Sequence, residues 1–219
     1  MKPELDVILP CLDEEDTVPA VLAALPPGCH PVVVDNGSTD RTAEVARAHG
    51  ARVLTEPRRG YGAAVHAGIQ GAQREYVAVL DADGSLDPAA LPVLLRPVAE
   101  GTADLAVGRR RPQGRGVQPW HARAANASIA WLLRRRGAAV HDIAAIRVAR
   151  RDALLALDVQ DRGFGYPLEL LLRAARAQWR ITEIDVDYRA RAGGRSKVSG
   201  SMRGTVRAAL DMAQVVVRG

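Results

Sequence analysis

Tyr76-Val77-Ala78-Val79-Leu80-Asp81-Ala82-Asp83-Gly84 sets an apolar run against two carboxylates one residue apart and a glycine turn. A short apolar run bounded by turn residues fits a strand buried on both faces, as strands of parallel sheets are. Ligands of open α/β sheets bind beyond the carboxyl ends of the strands, so Asp81 and Asp83 stand where a ligand would lie. Two hard oxygen donors there suit Mg²⁺ or Mn²⁺, which can bridge a diphosphate and neutralise its charge as it departs. Without a ligand, the same residues make an Asp-Gly turn, with Asp87 capping the helix that follows.

Upstream of this stretch, short apolar runs alternate with helical patterns. Leu5 to Leu9, Val32 to Val34 and Arg52 to Leu54 read as strands, and Thr17 to Leu25, Asp40 to His49 and Gly62 to Gly71 as helices. With Tyr76 to Leu80 as a fourth strand and Pro88 to Ala99 as the next helix, the first hundred residues form a doubly wound set of β-α-β units with parallel strands. Downstream, Leu105 to Val107 predicts a fifth strand, whereas Gly108 to Pro119, rich in Arg, Gly, Pro and Gln, has no apolar period and reads as a loop. Ala122 to Leu133 has helical spacing and ends on Arg134 to Arg136, cations favourable at a helix C-terminus. Ile143 to Val148 predicts a strand, Leu168 to Ala177 a helix, Ile181 to Tyr188 a strand, and Ala190 to Gly200 a Gly/Arg/Ser loop. A last amphipathic helix, 201–217, carries Val206, Leu210, Ala213 and Val217 on one stripe.

Composition agrees with one folded domain of 219 residues: 47% hydrophobic and 25% charged residues exclude a largely disordered chain. Aromatics make up only 4%, so the core must be built from Ala, Val, Leu and Ile, which suits sheets covered by helices. The net charge of +5 is almost wholly arginine, Lys2 and Lys197 being the only lysines. Nucleic acid is an unpromising partner, because the arginines are scattered and aromatics for base stacking are scarce. Cys11 and Cys29 lack metal-ligand spacing and make no disulfide framework, which fits a reducing cytoplasm. No apolar run approaches the length of a membrane span, so any membrane contact is expected to be peripheral.

Three further strand ends gather on the same rim. Val34-Asp35-Asn36-Gly37-Ser38-Thr39-Asp40 closes the second strand with an acid and a glycine turn; Asp35 can accept hydrogen bonds from a base or ribose, and the turn can present backbone N–H groups. Ser38, Thr39 or Asp40 also serve as ordinary N-caps. Leu9-Pro10-Cys11-Leu12-Asp13-Glu14-Glu15 brings more acids at the end of the first strand, and Gly60-Tyr61-Gly62 opens a helix after the third, where small residues allow close approach of a nucleotide or simply make a turn.

Together these segments resemble the family-2 glycosyltransferases, in which a Pro followed by acids, an Asp-x-Gly-Ser-x-Asp turn and an Asp-x-Asp motif end the first, second and fourth strands. The second half narrows the likeness toward dolichyl- and polyprenyl-phosphate sugar synthases. Gly108-Arg109 looks like the family's Gly-x-Arg, His141-Asp142-Ile143 its Asp before a strand, Gly165-Tyr166-Pro167-Leu168-Glu169 its acceptor-side helix, and Arg191-Ala192-Gly193-Gly194-Arg195-Ser196-Lys197 its Arg-x-Gly-x-Ser-Lys loop. Three positions depart from the pattern: Asp13 where many relatives have Asn, Asn36 where a second Asp is commoner, and Pro167 where some relatives carry an acid.

The resemblance implies a GT-A fold, a Rossmann-like α/β/α sandwich with a mostly parallel central sheet. It divides the chain into a nucleotide-sugar-binding half, 1–108, an acceptor-side half, 109–200, and the terminal helix. It implies Mg²⁺ or Mn²⁺ on Asp81 and Asp83, with Pro10, Leu12, Glu14, Asp35, Gly37, Ser38, Gly62, Asp81 and Ala82 around the donor nucleotide. Arg109, Arg191, Arg195, Ser196 and Lys197 are expected at the phosphates of donor or acceptor, and Asp83, Asp142, Glu169 and Arg195 in catalysis. The implied reaction is inverting hexose transfer from GDP-mannose or UDP-glucose to a lipid phosphate, at the inner face of a membrane or in the cytoplasm. A sugar or small-molecule hydroxyl as acceptor would require a base, for which Glu169 or Asp142 is the candidate. Two rivals are a sugar-nucleotide pyrophosphorylase, whose first loop should be basic and Gly-rich where Pro10 to Asp16 is acidic, and a non-enzymatic nucleotide-sugar-binding module.

Overall fold

The computed structural model describes residues 3–114, 117, 120–143 and 146–191. The expected terminal helix and the residues Arg195, Ser196 and Lys197 lie outside the described residues. The chain runs β1 (Leu5–Cys11), α1 (Val18–Ala23), β2 (Cys29–Asp35), α2 (Thr42–Ala48), β3 (Arg52–Thr55), α3 (Tyr61–Gly71), β4 (Tyr76–Val79) and α4 (Leu91–Ala99). It continues with β5 (Leu105–Pro112), α5 (Trp120–Arg135), β6 (Ile146–Arg150), α6 (Arg151–Ala156), α7 (Tyr166–Arg176) and β7 (Ile181–Tyr188). Asp87 accepts the Ala89 N–H at 2.9 Å and opens a single 3₁₀ turn, Pro88–Ala90, ahead of α4.

These strands form one seven-stranded sheet in the order β3-β2-β1-β4-β6-β5-β7. Pairing is parallel except where β6 runs antiparallel to both β4 and β5. The strand period of two sends alternate residues to opposite faces: Leu5, Val7 and Leu9 of β1 join Val18, Leu22, Leu91 and Leu94 from α1 and α4. Ile8 and the β4 residues Val77 and Val79 instead meet Val65, Ile69, Leu168 and Leu171 from α3 and α7. Two apolar cores, one on each side of the sheet, therefore make the α/β/α layering expected from the sequence. Each fully buried Leu or Val among them stabilises the fold by about 1.5–3 kcal/mol relative to exposure.

Two local expectations are corrected and one element is new. The arginine-rich stretch read as a loop from Gly108 continues β5 to Pro112. It is held by β7, whose register runs unbroken from Leu105↔Ile181 to Pro112↔Tyr188. Since β6 pairs only Leu105 to Gly108, the rest of β5 has a neighbour on one side alone, and Arg111 and Pro112 are exposed. The division at residue 108 consequently falls inside a strand. Next, β6 begins at Ile146 rather than Ile143 and lies between β4 and β5, so the fourth and fifth strands are not neighbours. Finally, helix α6 directly follows β6, a short element whose six residues give too little periodicity to be read from sequence. Among the described residues no helix is long and apolar enough to cross a membrane.

Candidate active site

A cavity of about 540 Å³ opens on the rim where β1, β2 and β4 end. The first strand contributes Pro10, Cys11, Leu12 and Glu14, the second Asn36, and the fourth Asp81, Ala82 and Asp83. Because β6 is antiparallel, its start lies on the same rim as those strand ends, and Arg147, buried to 4% exposure, lines the cavity. Gly163, Phe164 and Pro167 ahead of and within α7, and Arg191 beyond β7, complete the lining used below.

Asp83 is buried to 4% exposure, and Asp81 is half-buried two residues before it. Burial, and next the carboxylate of Asp83, raise the Asp81 carboxyl above its ordinary range, with Arg147, Arg110 and Arg191 pulling the other way. The Asp81 Oδ1 accepts the Tyr61 hydroxyl at 3.3 Å, and Arg147 Nη1 donates to the same hydroxyl oxygen at 3.4 Å. Burial pushes the Tyr61 phenol upward, so it stays a neutral donor. Asp83 accepts the Ser85 N–H at 2.9 Å through Oδ1, while its Oδ2 lies 2.9 Å from Arg191 Nη2. Among the described residues no group of three or more His, Cys, Asp or Glu could hold a metal ion. Two carboxylates are nonetheless the usual protein share of a Mg²⁺ site that is completed by substrate phosphates. The donor set fits: hard oxygens, mutual repulsion that a cation would relieve, and a guanidinium already drawn onto Asp83.

The ends of β1 and β2 are laced together by the acids and hydroxyls noted in the sequence. Asp13, at φ 52°, donates its N–H to Ser38 Oγ at 3.0 Å and accepts the Thr39 N–H at 2.7 Å. Both Asp and Asn tolerate that left-handed backbone, so the departure at Asp13 costs little. Glu14 N–H reaches Thr42 Oγ1 at 2.8 Å, and Asp40 accepts from the backbones of Glu15 and Thr42 at 3.1 and 2.9 Å. Burial works to raise the Asp40 carboxyl, but the hydrogen bond from the Thr42 hydroxyl at 2.5 Å, together with those two backbone bonds, outweighs it and holds it below the usual range. Asp35, Gly37 and Ser38 are thereby neighbours of the cavity and not part of its lining: Asp35 Oδ1 accepts the Ser38 N–H at 3.0 Å, and Gly37 turns at φ 84°.

Asn36 has a larger role than the sequence suggests. Buried to 5% exposure, its Nδ2 donates to the carbonyls of Glu56 at 2.9 Å and Arg58 at 2.8 Å, and its Oδ1 accepts the Gly60 N–H at 2.8 Å. One amide therefore fastens the whole segment from Glu56 to Gly60, which brings Arg59, Gly60 and Tyr61 to the cavity wall.

Several expected site residues do other work. The N-terminus of α3 is occupied: Gly62 and Ala63 donate their N–H groups to the carbonyls of Gly163 and Arg162 at 3.0 and 2.9 Å. A Cβ on Gly62 would stand 2.7 Å from Tyr166 Cβ, so this glycine is required by protein packing and does not line the cavity. Glu169 accepts the N–H groups of Gln160 and Asp161 at 3.0 and 2.7 Å and pairs with Arg173 at 2.6 Å. Its carboxylate clamps the turn before α7 and is not among the residues that line the cavity. Asp142, buried to 3% exposure, accepts Arg110 Nε at 2.9 Å, Nη2 at 2.6 Å and the Arg110 backbone N–H at 2.8 Å. The Asp142 carboxylate is thus already engaged bidentately by a guanidinium.

Arg110 lines both the first cavity and a second of about 480 Å³, which Asp142, Arg109, Arg111, Arg123 and His141 also line. Arg111 is neutralised by Asp185 at 2.8 Å and His141 faces Glu183 at 2.8 Å. Among the described residues no carboxylate pairs with Arg109 or Arg123, so this cavity presents net positive charge. Arg147, Arg110 and Arg123 were not singled out by their sequence context, Asn36 stood out only as a departure from the family pattern, and Tyr61 only as part of the Gly60–Gly62 segment. The one visible signal was an arginine inside the apolar run Ile146 to Ala149.

The fold is that of the GT-A glycosyltransferases. Glucosyl-3-phosphoglycerate synthase from Mycobacterium tuberculosis, in complex with Mn²⁺, uridine diphosphate and phosphoglyceric acid, superposes with a TM-score of 0.79 at 23% identity, over 99% of this chain and 78% of that one. The chain belongs to glycosyl transferase family 2, whose model matches residues 6–158. An uncharacterised glycosyltransferase of Mycobacterium tuberculosis is 57% identical over 211 residues, covering 96% of each chain. The polyprenol monophosphomannose synthase of Mycolicibacterium smegmatis is 34% identical over 244 residues, covering 97% of this chain and 91% of that protein.

Proposed function

We propose that this chain is an inverting, divalent-metal-dependent hexosyltransferase that moves a hexose from GDP-mannose or UDP-glucose to a polyprenyl phosphate. What carries this reading is that two unlike cavities share Arg110 in their lining: one holds the acid pair Asp81 and Asp83, suited to a metal and diphosphate, the other has Arg109 and Arg123 facing no carboxylate among the described residues, suited to an anionic acceptor. The naming of the mycolicibacterial relative as a polyprenol monophosphomannose synthase supports the acceptor class. Asp81 and Asp83 would hold Mg²⁺ or Mn²⁺, which when bound supplies neutralising charge for the departing diphosphate.

The residues of this chain then do three things. Glu14, Asn36 and Tyr61 shape the donor cavity; Arg147, near Asp81, and Arg191, on Asp83, add positive charge where the leaving group's charge develops. Arg109 and Arg123 seat the acceptor phosphate. A phosphate monoester is already an anion near neutral pH, so its oxygen can form the bond to the anomeric carbon while the carbon–oxygen bond to the diphosphate breaks, with no base to take a proton. That fits a site whose two candidate bases, Asp142 and Glu169, are both engaged.

The test is nucleoside diphosphate release from a panel of GDP-, UDP- and dTDP-sugars with Mn²⁺, with a short-chain polyprenyl phosphate, with phosphoglyceric acid, and without acceptor. Release from one donor that depends on the polyprenyl phosphate is expected. Release only with phosphoglyceric acid, or none with any donor despite metal-dependent stabilisation by a nucleotide, would reject the lipid acceptor.

A further inference from the structure

Helix α5 has two unlike sides. Ala130 and Leu133 are fully buried, whereas Arg123, Ala127, Trp131 and Arg135, four residues apart and so on one stripe, are exposed. Trp131 keeps 52% of its surface in solvent; among the described residues the other large hydrophobic side chain so exposed is Val93, at 49%. The Arg135 guanidinium lies 4.9 Å from the centroid of the Trp131 ring, so indole and cation present themselves as a unit. Residues 109–136 contain eight arginines and no Asp or Glu, and Arg134 to Arg136 are all exposed at the helix end.

A half-exposed indole flanked by arginines gains little in water. At an anionic bilayer both parts gain: the amphipathic ring sits at headgroup level, and the guanidinium groups meet lipid phosphates. The chain's own terminal segment is a poor occupant of this face. Residues 192–219 carry Arg195, Lys197, Arg203, Arg207 and Arg218 against one acid, Asp211, so like charges would meet.

We propose that the outward face of α5 docks this chain on an anionic bilayer surface, with Trp131 entering the interface and Arg134 and Arg135 against headgroup phosphates. Arg123, Ala124 and Ala127 also line the second cavity, so docking turns that cavity toward the lipid. Only this consequence for orientation rests on the polyprenyl-phosphate reading; the docking itself does not.

The experiment is co-sedimentation of the full chain, without donor or acceptor, on vesicles of phosphatidylcholine alone and of phosphatidylcholine mixed with phosphatidylglycerol. Retention on the mixed vesicles and little on the neutral ones is expected. Arg135→Gln should lower the partition coefficient about fivefold, and Trp131→Ser by about tenfold or more. Val93→Ser, on α4 across the sheet, should change nothing, and circular dichroism checks that each variant is folded. No retention on either vesicle, equal retention on both, or retention unchanged by Trp131→Ser and Arg135→Gln would each overturn the proposal. Because no substrate is present, failure of the transfer assay leaves this result standing, and the reverse also holds.

Discussion

Replacing Asn36 by Asp exchanges one NH₂ group for an oxygen and should weaken the donor side of the site out of proportion to that change. In the native structure the amide donates to the carbonyls of Glu56 and Arg58 and accepts from Gly60, all within 2.9 Å and nearly out of contact with water. An ionised carboxylate keeps only the bond from Gly60 and turns its second oxygen toward two carbonyl oxygens. Two hydrogen bonds are lost, and each carbonyl left unsatisfied costs about 1–3 kcal/mol, so the expected loss is about 2–6 kcal/mol. Burial also raises the pKa of the introduced carboxyl above its unfolded value. The protonated form can donate to one of the two carbonyls, so stability is relatively higher below the unfolded pKa and is lost as pH rises through the folded one. Urea unfolding of wild type and Asn36→Asp at pH 7 and pH 5 measures this, with Asn36→Ala as the variant that lacks both the donor and the charge. The penalty should shrink at pH 5 for Asn36→Asp and stay constant for Asn36→Ala. A loss under about 0.5 kcal/mol at pH 7 would refute the view that this amide holds the segment from Glu56 to Gly60.

Asp83→Asn keeps an acceptor for the Ser85 N–H and should fold normally, while metal-dependent turnover falls by on the order of 10²-fold or more and nucleotide stabilisation by Mn²⁺ is lost; normal turnover would sink the metal assignment. Glu169→Gln should lower stability by about 1–3 kcal/mol through the Gln160–Asp161 turn and leave the shape of the pH–rate profile unchanged. A large drop in kcat with unchanged melting temperature would restore Glu169 as a base.

Much of the site could be read before the fold was known. Asp81 and Asp83 lie directly after an apolar run, and Pro10, Leu12 and Glu14 after another; a buried parallel strand delivers whatever follows it to one rim of the sheet, so local sequence sufficed to bring these residues together. The layering was legible for the same reason, since burial on both faces leaves the short apolar runs Val7 to Leu9, Val32 to Val34 and Tyr76 to Val79 in β1, β2 and β4.

The sequence by itself determined the α/β alternation, the strand ends that carry the acids, and the class of chemistry that hard oxygen donors there can serve. The tertiary structure alone decided that β6 enters antiparallel between β4 and β5, which brings Arg147 beside Asp81. It also decided that Arg109 to Pro112 extend as a strand along β7, that Gly62 is small to admit Tyr166, and that Glu169 and Asp142 are already engaged by protein groups. The physical reason is range. Periodicity and turn chemistry act over a few neighbouring residues, whereas the partner of a strand, a glycine or a buried carboxylate is chosen by contacts between segments distant in sequence, such as Asn36 with Gly60, Gly62 with Gly163 and Tyr61 with Arg147.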